Sequence, residues 1–173
     1  MKQKSLNRIL QYKNPEVVAR FSKSLGIPTK TSELIFKDLL RFLWLSQNAK
    51  IENSKKPGSA PNVVLMNGIL ILDEMWHIFI LYTAEYTQFS ERYFGAYLHH
   101  GPSRVLKKKT KSKPKAAAQK NYDDLLETSL IKYVFSELGE DVAVRWFLKF
   151  PQEYSVREIR RRQLKHHKAV YSL

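Results

Sequence analysis

The sequence predicts an all-α fold, and three observations carry that expectation. Helix start and stop residues recur at regular places, apolar residues repeat at 3–4 spacing, and no hairpin turn dipeptide separates alternating segments. Asn14-Pro15-Glu16 supplies a cap, a first-turn proline and an N-terminal acid, so a helix is expected over 15–25, closed by Gly26 before Pro28. Thr31 or Ser32 then opens a helix over 32–47. Its Leu34, Ile35, Phe36, Leu39, Leu40, Phe42, Leu43, Trp44 and Leu45 put apolar groups on nearly every side, the pattern of a buried central helix with Trp44 in the core. Asn48 to Asn62, with Lys55-Lys56-Pro57-Gly58 and Pro61, reads as loop.

A long helix is expected over 70–93. Its stripe is Leu72, Met75 or Trp76, Phe79, Tyr82, Tyr86, Phe89 and Tyr93, and Gly95 ends it. A further helical segment over 122–149 starts near Asp123 or Asp124 and is interrupted by Gly139. Ser155 and Glu158 form a capping box for a last, basic helix whose main apolar contact is Ile159.

The 173 residues fit one compact helical domain, and 43% apolar with 12% aromatic residues suffices for a core, which excludes a wholly disordered chain. With no Cys, disulfide scaffolds, thiolate zinc sites, Fe–S clusters and cysteine nucleophiles are excluded. The first residues lack the apolar stretch of a secretory signal, and Ile69 to Leu81, cut by Asp73, Glu74 and His77, falls short of the ~20 residues a membrane helix needs. A cytoplasmic protein without a transmembrane segment is therefore expected.

The formal charge of +14 is concentrated in two places. Lys107, Lys108, Lys109, Lys111, Lys113, Lys115 and Lys120 supply one cluster, and Arg157, Arg160, Arg161, Arg162, Lys165 and Lys168 the other, opposed locally only by Glu158. The remaining body is almost neutral. The organisation expected is a helical core over 1–102, a Lys-rich mobile linker or loop over 103–120, and a helical C-terminal part over 121–173. Lys107, Lys108, Lys109, Lys111 and Lys113, with Arg157, Arg160, Arg161 and Arg162, are candidates to meet an anionic partner, or a solvated linker and a solubilising tail.

Chemistry-bearing residues are few. The five His fall at His77, His99-His100 and His166-His167. Asp73 and His77, four apart, share one helix face, a spacing that suits two ligands of one metal ion or a carboxylate fixing an imidazole tautomer. The plainer reading makes Asp73 a helix cap and His77 a satisfied core histidine. Glu74 is placed to serve as a general base on a bound water, and Gly95 must turn the chain back before His99 or His100 approaches His77. A sharp turn gives a set of Asp73, His77 and His99 or His100 with an open water position.

The stretch Leu72-Asp73-Glu74-Met75-Trp76-His77, followed by Tyr86, Phe94-Gly95 and His99-His100-Gly101-Pro102, resembles the conserved block of glycine-rich domain-containing-protein-like sequences. The resemblance spans about Leu34 to Pro102. It implies that Asp73, Trp76, His77 and His99 or His100 belong to one constellation; the cofactor is left open, with a divalent ion such as Zn, Fe or Mn as the candidate. Phe79 stands where many members carry a second His, and Ser90 where others carry Cys, and each departure removes one candidate ligand.

Three functions are compatible with these residues. The first is an interaction or adaptor domain, with the Asp/His site as an accessory and a protein or other anionic macromolecule as partner. The second is a metal-dependent hydrolytic or oxidative enzyme using Asp73, His77 and His99 or His100. The third is nucleic-acid binding through the two basic segments.

Overall fold

The computed structural model describes the backbone of residues 5–66, 69–101 and 116–171, and side chains over the same residues except 116–123 and 167–171. The fold is all-α, and the described residues contain no strand. The helices are α1 (Leu6–Ile9), α2 (Pro15–Leu25), α3 (Thr29–Lys55), α4 (Leu70–Leu81), α5 (Thr83–Phe94), α6 (Ala116–Leu138), α7 (Glu140–Val144), a π-helical turn (Arg145–Lys149), α8 (Phe150–Glu153) and α9 (Val156–Tyr171).

Helix α3 is the axis of the molecule, with α1, α2, α4 and α6 packed around it. Ile35, Leu39, Leu40, Leu43 and Leu45 on α3 are fully enclosed. Trp76 is buried as its place in the stripe requires, whereas Trp44 is half-buried and packs at the margin of the core.

Local chemistry explains most boundaries. Asn14 Oδ1 accepts the Val17 N–H at 3.0 Å, and Gly26 leaves α2 in the left-handed conformation (φ 60°), which glycine adopts without strain. Helix α3 starts at Thr29 rather than at Thr31 or Ser32, because Ser32 turns inward and its hydroxyl donates to the Ile27 carbonyl. It also continues to Lys55, through residues expected to be loop. Its asparagines are held by distinct partners: Asn48 donates to Glu52 (2.7 Å) and to the Tyr133 hydroxyl (3.2 Å), while Asn53 brackets the Ala60 backbone with two hydrogen bonds. Those contacts remove the competition with the helix that makes asparagine a poor interior residue.

The helix expected over 70–93 is two helices. The chain breaks at Tyr82 (φ −86°, ψ 67°), without a glycine or proline, and α5 restarts at Thr83. At the C-terminal side, Gly139 (φ 89°) separates α6 from α7, and α6 begins at Ala116, inside the stretch expected to be linker. The remainder of that linker, 103–115, with Lys107, Lys108, Lys109, Lys111 and Lys113, lies outside the described residues. The helical segment expected to end at 149 runs on: the π turn leads directly into α8, which holds Pro151, and the chain leaves the helix at Tyr154 (φ −129°, ψ 52°).

One buried ion pair ties the two halves together. Asp38 on α3 is fully buried and accepts from Arg145 Nε (2.5 Å) and Nη2 (2.9 Å) and from Arg41 Nη1 (2.8 Å). The two-pronged bond to its carboxylate holds the Arg145 guanidinium above its ordinary pKa, against the opposing pull of burial. No helix among the described residues is long and apolar enough to cross a membrane.

Candidate metal centre

The site is assembled from α4 and from the segment that follows α5. Asp73 and His77 lie one turn apart on α4, with His77 Nδ1 3.6 Å from Asp73 Oδ2. The helix cap is Ile69 and makes no side-chain cap bond, so Asp73 sits within the helix and is not its cap. Gly95 then closes α5 at φ 77°, its N–H bonded to the Ser90 and Glu91 carbonyls, and sends residues 96–101 back toward α4.

A buried tyrosine fixes where that returning segment lands. Trp76 Nε1 donates to the Tyr86 hydroxyl at 2.9 Å, and the same hydroxyl donates to the Leu98 carbonyl at 2.6 Å. Burial pushes the Tyr86 pKa up to about 12, partly countered by the hydrogen bond from Trp76, so the phenol keeps its proton and can donate. With Leu98 held, His100 lies over the Trp76 indole, ring centroids 4.2 Å apart.

The outcome is a compact set of donor atoms. His100 Nε2 is 3.0 Å from His77 Nε2 and 3.3 Å from Asp73 Oδ1. Asp73, His77 and His100 each offer one ligand atom, and these atoms all lie within 4.8 Å of one another. Ligands bound at the usual 2.0–2.1 Å in a tetrahedral shell stand about 3.4 Å apart, close to the 3.0 and 3.3 Å that separate His100 Nε2 from His77 Nε2 and Asp73 Oδ1. Burial lowers the pKa of His100, with His77 adding to the effect and Asp73 opposing it. The neutral imidazole is the form that ligates metal. His77 is half exposed (54% of its side chain), which leaves one side of the cluster open to solvent.

The structure separates the two adjacent histidines of the sequence. His100 joins the cluster, whereas His99 is exposed and stacks edge-on against Tyr97 at 5.0 Å. Glu74 is not one of the three clustered donors: its carboxylate accepts from Gln163 of α9 at 2.9 Å, and burial raises its pKa. Tyr86 and Tyr93 are core residues, as the stripe implies. What sequence reading missed is the role of Tyr86, whose one available signal is a hydroxyl at a stripe position where phenylalanine would pack as well.

Among the basic residues, Arg162 is structural. It donates to the Leu25 and Gly26 carbonyls at the C-terminus of α2, 3.3 Å each, and shares Glu158 with Arg161. Arg157, Arg160 and Arg161 are exposed. Ser155 caps α9 through the Glu158 N–H (3.3 Å), while the Glu158 carboxylate is taken up by the two arginines.

Residues 7–123 match the UCP032817-like family. The chain belongs to that family. The match covers more than half of the chain, including Asp73, Trp76, His77, Tyr86 and His100, and it replaces the resemblance to glycine-rich domain-containing-protein-like sequences. The residues behind that resemblance fall on two short helices, α4 and α5, and on the segment that follows Gly95. UCP032817-like is an uncharacterised family, and no curated protein and no solved structure matches the chain.

Proposed function

We propose that this UCP032817-like protein binds a divalent first-row transition metal through Asp73, His77 and His100. The observation behind this reading is the convergence of one carboxylate oxygen and two imidazole nitrogens within 4.8 Å, on elements brought together by the Gly95 turn and the Tyr86 hydroxyl. Two histidines and one carboxylate suit zinc, iron or manganese and leave coordination positions for water or a substrate. A water bound there would face solvent beside His77 and be acidified by the ion, which is what hydrolytic or oxidative chemistry requires. The interaction-domain reading has its own support in Leu125, Phe135 and Leu148, large apolar side chains that stay more than half exposed.

The reading is tested by metal content and affinity. The protein stripped with chelator and reloaded with Zn, Mn or Fe(II) is expected to take up one equivalent. Asp73→Asn, His77→Gln and His100→Gln should each weaken binding by at least ~10–100-fold without loss of helical content. His99→Gln should bind like the parent. Because an ion held only by the folded state stabilises it, saturation at 100 times Kd should add about 2.7 kcal/mol and raise the melting temperature. Equal metal content across all four variants would remove the proposal.

A further inference from the structure

Helix α9 presents two faces with different tasks. Its inner face is consumed by the body: Ile159 is buried, Arg162 caps the C-terminus of α2 and lies over the Tyr154 ring, and Gln163 holds Glu74. Its outer face carries Arg157, Arg160, Arg161 and Lys165, all exposed. Arg157, Arg161 and Lys165 follow one another at i, i+4 and i+8, a straight row with about 6 Å between successive charges. Glu158, the single acid of α9, is spent on Arg161 and Arg162, and among the described residues Arg157 and Arg160 have no side-chain partner. Helix α2, against which α9 packs, adds exposed Arg20 and Lys23.

We propose that the outer face of α9 binds the phosphate backbone of double-stranded nucleic acid without reading its sequence. Guanidinium groups match phosphate oxygens in a two-pronged geometry, and the helix sets the spacing of their stems before binding. Burial of a membrane-seeking helix would need an apolar side turned outward, but the main apolar contact of α9 points inward, and among the described residues only Val156 and Leu164 accompany the cations outside. Reading of unpaired bases would need stacking platforms, and no aromatic side chain is exposed on the described part of this face.

The test is fluorescence anisotropy of the full chain with short labelled DNA and RNA duplexes of two unrelated sequences. Affinity is expected to be alike for both sequences and to fall log-linearly with salt. Arg157→Gln combined with Arg160→Gln should lower the salt slope by about 2 and weaken binding ~10–100-fold at 0.1 M salt, since each lost phosphate contact removes ~0.9 from the slope. Melting temperature should not move, because neither side chain has a partner to lose. The proposal is overturned if the double variant binds with an unchanged slope. It fails equally if replacing Lys107, Lys108, Lys109, Lys111 and Lys113 by Gln abolishes binding while the arginine variant leaves it intact. Binding to phosphatidylserine vesicles with none to duplexes would assign the face to a lipid surface instead.

Discussion

Asp38→Ala is expected to lower the unfolding free energy by about 3–5 kcal/mol, the range seen when one partner of a buried ion pair is removed. The substitution strands the Arg145 guanidinium, which now gives Asp38 two hydrogen bonds, and withdraws the partner of Arg41. It also opens a gap between α3 and the segment after α7, so the C-terminal part should loosen first. Urea unfolding followed by circular dichroism measures the loss. Asp38→Asn separates charge from shape, because it keeps the volume while removing the negative charge, and it should recover only a minor part of the stability. Pairing Asp38→Leu with Arg145→Met is the informative control. If apolar packing replaces the ion pair, most of the loss should be restored, since an intact buried pair contributes little beyond its own desolvation cost. An Asp38→Ala protein that unfolds at the parent urea concentration would show that the pair is not buried in solution.

Tyr86→Phe should damage both the fold and the proposed metal centre through a single oxygen atom. Removing the hydroxyl leaves the buried Trp76 Nε1–H without its acceptor and the Leu98 carbonyl without its donor. Each orphaned group costs about 1–3 kcal/mol, so a total of about 2–6 kcal/mol is expected if water does not enter. The second effect is on metal affinity. Leu98 lies two residues before His100, and freeing it widens the range of positions available to that imidazole. Misplacing a ligand through its supporting shell costs ~10–100-fold in affinity, although Asp73, His77 and His100 are untouched. A Tyr86→Phe variant that melts lower and binds zinc as tightly as the parent would reduce the tyrosine to a packing residue.

Much of the fold was legible because it is written in local chemistry. Asn14, Gly26, Gly95, Gly139 and Ser155 mark helix ends by their own backbone or side-chain properties, and each does so in the structure. The extension of α3 to Lys55 was not legible, because Asn48 finds Tyr133, 85 positions away, a partner that no local window contains. The break at Tyr82 was equally hidden. Neither a glycine nor a proline marks it, and the Tyr82 hydroxyl donates to the Glu16 carbonyl of α2, 66 positions away. For the site, i to i+4 spacing brought Asp73 and His77 together correctly. Choosing between His99 and His100 required knowing how a left-handed glycine and a tyrosine–carbonyl bond orient the next five residues. The buried Asp38–Arg145 pair spans 107 positions and left no trace that either residue's neighbours could supply.

The 4.2 Å contact between the Trp76 indole and the His100 ring also makes this protein its own indicator. Light absorbed by that indole is re-emitted beside an imidazole that the proposed ion would ligate, and an open-shell ion at that distance drains the excited state. Trp146 is sealed in the core and Trp44 lies at its margin, so neither shares that neighbour. Occupancy of the histidine cluster can therefore be followed by intrinsic emission, without labels, in the unmodified chain.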